Sequence, residues 1–483
     1  MKVLKFGGAS LRDGNSLKAI AGVVSATQGP KALVLSAFNG VTDRLNGLLV
    51  RILNKNFSEK QISAFVNKLK LEHLEFLKQA CFRQGFGGQA LSDETYRLIE
   101  GQCNRLERLL YGLRYIDEIT ERSRDLINSF GERLAVLVAA EALKSMGLNC
   151  HALEADKIGV VTDGLFGKSS AILPVARKNI GRVVLPLIRR NIIPVITGYF
   201  GCDKYGRTTT FGRGGSDYSA SVMAYALDAD ALELWKDVDG FMSADPAIIP
   251  QARLIKHLSY KEAAELAYFG SGILHPRTVE PVLLKNIPIM IRNTLAPLET
   301  GRQRRPVSLT GFSPPSKGTI IHNYHIARSI PIKGITYEAE IGFIKVHGYG
   351  SGFGYKPEVV NEITGRLLEH NINIKSILSA PTGIGLVFGQ EDFDEAFSVL
   401  SRTPIKLVSG FEKVMDQSLI AFVGEGMTRE KGVAARVFNC LAKKRINIEM
   451  ISAGASSAAG FFIIRRRDLK KTITTLYREF FGD

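Results

Sequence analysis

Val3-Leu4-Lys5-Phe6-Gly7-Gly8-Ala9-Ser10 is the stretch on which the fold turns. An apolar, strand-like run ends in two glycines, and a helical pattern follows from about residue 16 to 26. Strand, glycine turn and helix, in that order, bring backbone N–H groups and a helix N-terminus to face a phosphate. Paired glycines let the backbone approach a bulky anion closely, and Lys5 can set an ammonium against it. Neither common nucleotide fingerprint is present, since the turn is not GxGxxG and the chain has no GxxxxGK[ST]. A tight turn with a solvated lysine is the competing reading of the same residues.

A second glycine turn stands at Thr208-Thr209-Thr210-Phe211-Gly212-Arg213-Gly214-Gly215-Ser216-Asp217. Its free N–H groups attract anions, and Arg213 can grip a carboxylate through two parallel hydrogen bonds. Ser216 and Asp217 can cap a helix that follows. Two such turns, each with its own cation, favour an anion site over a surface loop.

The chain has 483 residues, 45% of them hydrophobic and 23% charged, which is ordinary for a folded protein of several domains. No apolar run reaches the ~18 residues of a membrane span. The sequence begins directly on a strand, so a leader segment and a membrane role are not expected. Cys81, Cys103, Cys150, Cys202 and Cys440 lie far apart without a CxxC pair, and the histidines show no metal-ligand spacing. Buried thiols in a reducing cytoplasm are the expectation, not disulfides, zinc or any dedicated metal site. The net charge of +16 raises the question of nucleic acid. The positive residues are scattered, however, with short clusters only at 302–305, 443–445 and 465–467. No aromatic-interleaved RNA motif accompanies them, so solvated faces and small anionic substrates are the preferred explanation.

Residues 1–300 alternate strands with helices. The strand candidates 3–6, 32–36, 192–197, 231–235 and 287–291 are near-continuous apolar runs, as in a parallel sheet covered on both faces. From 61 to about 113 the apolar residues instead follow helical spacing, interrupted at Gly85-Phe86-Gly87-Gly88; this predicts an inserted helical hairpin. Around 302–316 the chain turns rich in Arg, Pro and Ser, which suits an inter-domain crossing. Beyond it lies a weak repeat of about 70 residues. In each copy a strand ends in glycine, a helix follows, an Asn-Ile run comes next (Asn371-Ile372, Asn447-Ile448), and an apolar strand returns at 384–388 or 461–464.

Six motifs, in order, resemble those of the aspartokinases within the amino-acid kinase superfamily. They are KFGGAS (5–10), SAFNGVTD (36–43), SFGERL (129–134), TTTFGRGGSDYSA (208–220), WKDVDGFMSADP (235–246) and ELAYFGSGILHP (265–276). The paired C-terminal units look like the family's two amino-acid-sensing ACT domains. The layout is closer to the monofunctional plant and archaeal types than to the short two-chain bacterial type. The fold this resemblance implies is α/β: an N-terminal amino-acid kinase αβα sandwich with a mainly parallel sheet, then two βαββαβ ferredoxin-like ACT domains. The expected divisions are a catalytic domain at 1–300 with the helical hairpin at about 58–115, a crossing linker at 301–330, and ACT domains at 331–402 and 403–483, with interleaved strands as an open variant.

The reaction implied is ATP plus L-aspartate giving ADP and 4-phospho-L-aspartate, the first step towards lysine, threonine and methionine, under amino-acid feedback. Phosphoryl transfer needs positioning and cations more than covalent help, and an ionised β-carboxylate needs no general base. By resemblance, Lys5, Arg213 and Asp217 carry catalysis. Ser36, Thr42, Glu132, Arg213, Gly214, Gly215 and Ser216 hold the substrate, Arg213 on its α-carboxylate and Glu132 on its ammonium. Lys5, Gly7, Gly8, Lys236, Asp237, Phe241, Met242 and Asp245 hold ATP, which carries its own Mg²⁺. Taken alone, Glu132 and Asp217 also read as helix-cap carboxylates, and Asp237 and Asp239 as turn formers. An effector amino acid is expected at the ACT interface, with Asn371, Asn373 and Asn447 as candidates, and at least a dimer through these units.

The sequence departs from the family at several places. Ala9 replaces a threonine, Gly272 a lysine that reaches ATP, Ala247 an arginine, and Met242 an aromatic. Losing one charged contact to phosphate costs roughly 1.5–3 kcal/mol. Two alternatives therefore stay open: an ACT-based amino-acid sensor with a weakened kinase site, and a kinase for glutamate or N-acetylglutamate.

Overall fold

The computed structural model describes residues 1–482 except 55–56, 82–91, 295–317, 324–330 and 350–355. Strand β1 (Lys2–Phe6) lies near the middle of an eight-stranded sheet. The strands that follow in the chain are β2 (Lys31–Leu35), β3 (Cys150–Leu153), β4 (Ile193–Thr197), β5 (Phe200–Cys202), β6 (Thr208–Thr210), β7 (Ala231–Lys236), β8 (His257–Leu258), β9 (Ile289–Asn293) and β10 (Thr319–Ile321). The sheet order is β3-β4-β2-β1-β7-β9-β10-β8, while β5 and β6 form a separate hairpin. The pairs from β3 to β9 are parallel; β10 runs antiparallel to β9 and parallel to β8.

The five apolar runs read from the sequence are β1, β2, β4, β7 and β9. Leu4, Phe6, Leu33 and Leu35 point into one core, shared with helices Gly14–Ala26, Val41–Ile52 and Phe130–Ser145. The alternate residues Val3, Ala32, Val34, Leu232 and Leu234 are fully buried as well, as a sheet covered on both faces requires. Helix Gly215–Ala226 packs on β1, β2 and β7. The helical hairpin is Glu59–Cys81 and Asp93–Ile116, and its apolar stripes (Ile62, Val66, Leu69; Ile99, Leu106, Leu110) join the main core. The Gly85–Gly88 loop falls outside the described residues.

Three strands of the main sheet escaped the sequence reading. β3 is half-exposed and β8 has two residues. β10 lies inside the stretch expected to be a linker at 301–330. Its three residues are buried and pair with both β9 and β8, so the α/β unit extends past residue 300; the Arg-rich part of that stretch is outside the described residues.

By internal contacts the chain forms two units. The first is Met1–Phe241, Leu254–Ala264 and Ile273–His325; the second is Met242–Arg253, Glu265–Gly272 and Ile326–Asp483. The second holds an antiparallel sheet built from β11 (Gly334–Gly348), β12 (Ser376–Ala380), β13 (Gly383–Gly389), β14 (Val408–Val423), β15 (Met450–Ala453) and β16 (Ala459–Arg465), in the order β12-β13-β11-β14-β16-β15. Helices Lys356–Glu369 and Gln390–Ser401 serve the first repeat, and Val433–Lys443 and Leu469–Phe481 the second. The two long strands work in both repeats. β11 residue Ile335 belongs to the core of the second, with Ile420 and Phe422, whereas β14 residue Val408 belongs to the core of the first, with Ile344 and Val346. A cut at 402/403 therefore divides the chain but not the two cores.

Candidate active site

The carboxyl ends of β1, β2 and β7 meet where the strand order reverses about β1, the place where open α/β sheets hold ligands. Register brings Phe6 beside Leu35 on one side and Trp235 on the other, and the segments leaving β1 and β2 border one cleft together with the turn before helix Gly215–Ala226. Its volume is about 400 Å³. Of the residues expected from the sequence, it brings together Lys5, Gly8, Ser36, Thr42, Glu132, Arg213, Gly214, Gly215, Ser216 and Asp217.

Asp217 organises the floor. Its Oδ1 lies 2.5 Å from Lys5 Nζ and its Oδ2 2.8 Å from Lys236 Nζ. Burial alone would push this carboxyl up; the ammonium groups of Lys236 and Lys5 outweigh it and hold Asp217 well below the usual carboxylate range. Burial also lowers Lys5, and Asp217 offsets only part of that. Helix Gly215–Ala226 starts behind a left-handed N-cap, Gly214 (φ 71°). A Cβ at Gly214 would sit 2.3 Å from His275 Cβ, so only glycine fits. Ser216 and Asp217 therefore do not cap the helix as the sequence suggested. They lie inside its first turn, where the macrodipole favours negative charge.

Glu132 occupies the first turn of helix Phe130–Ser145 and is 2% exposed. Gly131 makes its placement possible: a Cβ there would come within 2.7 Å of Ala37 Cβ, so the helix can press against the segment after β2. Ala37 N–H then donates to Glu132 Oε1 at 3.1 Å, while Oε2 is buried with no hydrogen-bond partner among the described residues. Burial pushes the carboxyl up to about 8. Arg213 is exposed at the cleft and makes no ion pair among the described residues. The segment leading to it is firmly held. Asp125 accepts from Thr210 N–H (2.8 Å), Thr210 Oγ1 (2.6 Å) and Gly167 N–H (2.8 Å). Arg133, 1% exposed, donates to Asp156 and to Thr208 Oγ1 (3.2 Å).

Other expected residues stand elsewhere. Gly7 shapes the turn, its carbonyl accepting from Ser10 N–H at 2.9 Å, without bordering the cleft. Asp237 lies 3.8 Å from Arg12 Nη2. Phe241 is 1% exposed; its N–H donates to Thr319 Oγ1 (2.9 Å) and its carbonyl accepts from Ile255 N–H (2.8 Å). Its ring is core, not a surface for a base to rest on. Met242 and Asp245 belong to the second unit. There Asp245 accepts from Tyr337 Oη (2.6 Å) and from the N–H of Ala247 (2.9 Å), so its carboxylate is spent on local structure.

Tyr199 borders the cleft and was not foreseen. It holds φ 72°, and burial pushes its hydroxyl up to about 12. The signal was present: an aromatic flanked by glycines in Gly198-Tyr199-Phe200-Gly201, just past a strand end. Among the described residues no three His, Cys, Asp or Glu side chains stand as a metal-binding group.

Residues 1–293 match the family model described as the amino acid kinase family, and residues 420–480 match an ACT domain. The first match covers more than half of the chain, and the chain belongs to the amino acid kinase family. The bifunctional aspartokinase/homoserine dehydrogenase of Buchnera aphidicola is 28% identical over 100% of this chain and 56% of its own length. The chain likewise spans 57% of the corresponding Haemophilus influenzae protein. The chloroplastic aspartokinase 1 of Arabidopsis thaliana is 28% identical over 99% of this chain and 80% of its own. Escherichia coli aspartokinase III, solved with aspartate and ADP, has the same fold, with a TM-score of 0.79 at 24% identity over 100% of both chains.

Proposed function

We propose that the chain is an aspartate kinase that transfers the γ-phosphoryl group of ATP to the β-carboxylate of L-aspartate. The observation that carries the reading is Asp217 bridging Lys5 and Lys236, with Asp217 in one cleft with an oxygen of Glu132 and a guanidinium of Arg213 that have no partner among the described residues. Arg213 takes the substrate's α-carboxylate. Glu132 takes its ammonium, and the charge that ammonium brings favours the ionised carboxylate. The side-chain carboxylate is then free to face the nucleotide. Its oxygen forms the new P–O bond while the bond from the γ-phosphorus to the β–γ bridging oxygen breaks, and the electron pair leaves with ADP. Lys5 and Lys236 neutralise charge that builds on the phosphoryl oxygens, and Asp217 keeps both ammonium groups fixed before the substrates arrive. The N–H groups of Gly8 and of the turn before helix Gly215–Ala226 add fixed dipoles.

Mg²⁺ enters on the ATP phosphates, because the cleft residues do not form a cage for it. The ACT match supports amino-acid feedback through the second unit, and pairing of such units supports an oligomer of at least two chains. A cytoplasmic setting fits the free cysteines. A kinase for N-acetylglutamate fits less well, since an acetylated amine has no use for Glu132. The intact Lys5–Asp217–Lys236 bridge argues against a sensor whose kinase site has decayed. The test is ADP release coupled to hydroxylamine trapping of the acyl phosphate, with aspartate, glutamate and N-acetylglutamate in parallel. Hydroxamate with aspartate alone is expected; turnover with none of the three acids would refute the reading.

A further inference from the structure

Tyr199 differs from its neighbours in the cleft. Among the described residues that line the cleft, it alone holds a positive φ, 72°, without being glycine. Most other non-glycine residues of the chain with that conformation are Asn or Asp, which tolerate it. A tyrosine there is strained, and such strain persists only where the surroundings impose it. Here they do. Gly198 N–H donates to Leu35 O at 2.8 Å, at the end of β2, and Tyr199 O accepts from Phe211 N–H at 2.9 Å, in the second glycine turn. Backbone bonds thus fix Tyr199 between two segments that border the cleft.

The ring has a defined seat. A Cβ on Gly215 would come within 2.9 Å of Tyr199 Cδ2, so the ring lies against the first residue of helix Gly215–Ala226. Tyr199, Gly215, Arg213 and Glu132 border the same cleft. Glu132 is close enough for its charge to add to the burial that keeps the Tyr199 hydroxyl protonated. The side chain is therefore a neutral phenol, whose ring face attracts cations. Several other rings of this unit already carry a protein cation: Arg133 stands 4.6 Å from the centre of Phe200, Arg277 4.7 Å from Tyr218 and Arg207 4.9 Å from Tyr205. Among the described residues no lysine or arginine stands over Tyr199, although it faces a cleft whose buried carboxylate also lacks a cation.

We infer that Tyr199 is a specificity-determining residue, whose ring is the second partner of the substrate's α-ammonium and completes with Glu132 a pocket that selects a free ammonium over the same acid without one. The inference rests on the reading of Glu132 as the ammonium's partner. An ammonium set between a carboxylate and an aromatic face is attracted by both, and the aromatic share grows as water is excluded. This division of labour accounts for an aromatic at a strained position. Glycine would relax the backbone there, but it would leave the ammonium with one partner.

The test compares L-aspartate with succinate, the same diacid without the ammonium. The whole protein, saturated with the β,γ-imido analogue of ATP so that no turnover occurs, is titrated calorimetrically with each. Leucine is the informative replacement, because Leu407 holds φ 69° in this chain. Tyr199→Met serves as a second aliphatic variant, and a thermal melt confirms that each variant folds. Tyr199→Leu is expected to weaken aspartate about tenfold while succinate changes less than about twofold, and Tyr199→Phe, which keeps the ring, should bring aspartate back to within about twofold of the parent. Equal weakening of both acids would make the ring a structural wall only, and an undiminished preference for aspartate would leave it no role; either overturns the inference. Glu132→Gln separates the two readings. If it lowers the preference for aspartate and Tyr199→Leu does not, the substrate assignment stands and the role of Tyr199 falls. If the parent itself does not prefer aspartate to succinate, both fall.

Discussion

Lys236 Nζ lies 2.8 Å from Asp217 Oδ2 while Lys5 Nζ holds the other oxygen, so a single carboxylate fixes two cations that arrive from different strands. Removing either end should separate binding from chemistry. Lys236→Ala is expected to raise the KM for ATP about 10–100-fold, the cost of one charged phosphate contact, with the KM for aspartate unchanged. Asp217→Asn leaves both ammonium groups unorganised and is expected to lower kcat at least about 100-fold. Steady-state kinetics with each substrate varied in turn would check both, and an unchanged ATP KM in Lys236→Ala would remove that residue from the nucleotide site.

Glu132 sets a pH dependence. Burial raises its carboxyl to about 8, so it is mostly protonated at neutral pH, and an arriving ammonium should displace the proton. Aspartate affinity is expected to rise with pH up to about 8, by up to about tenfold per unit, with proton uptake by the buffer visible in calorimetry. Stability runs the other way. The folded carboxyl titrates above the unfolded one, so the native state holds the extra proton between about 4.5 and 8, and stability falls as pH rises through that window. Glu132→Gln should abolish both trends, and its melting temperature relative to the parent should be higher at pH 8 than at pH 5.

Arg213 is the exposed cation of the second glycine turn and has no protein carboxylate to lose among the described residues. Arg213→Ala should therefore leave folding intact while raising the KM for aspartate at least about 100-fold, because the loss is that of a bidentate, charge-assisted pair. Arg213→Lys should recover only part of it. Equal losses for ATP and aspartate would mean that Arg213 lies on the phosphates instead.

The central strands were legible because burial on both faces forces continuous apolar runs, and the motifs singled out Lys5, Glu132, Arg213 and Asp217, which line one cleft. Shorter or half-exposed elements were not legible: β8 and β10 have two and three residues, below any useful period. Long-range partners were invisible for a different reason. Nothing near Lys236 in the chain shows that its ammonium reaches Asp217, 19 positions earlier. Neighbourhood in a motif also misled. Phe241 and Asp245 follow the Trp235–Lys236 strand end closely, yet a ring in the core and a carboxylate capping its own loop satisfy the same spacing.

Asp245 provides the sharpest separation between motif and structure. It accepts from Tyr337 Oη at 2.6 Å within the second unit, and burial together with the Asp245 charge pushes the tyrosine hydroxyl up to about 12. A carboxylate used this way contributes to folding and not to the nucleotide. Tyr337→Phe and Asp245→Asn are each expected to lower unfolding stability by about 1.5–3 kcal/mol, the range for a hydrogen bond to a charged acceptor. The double variant should cost less than the sum, since both changes break the same bond. The ATP KM should stay within about twofold of the parent in all three, well inside the ~1.4 kcal/mol that a tenfold change represents. Chemical denaturation and initial-rate kinetics on the same preparations decide the matter: a large rise in ATP KM with unaltered stability would return Asp245 to the nucleotide site.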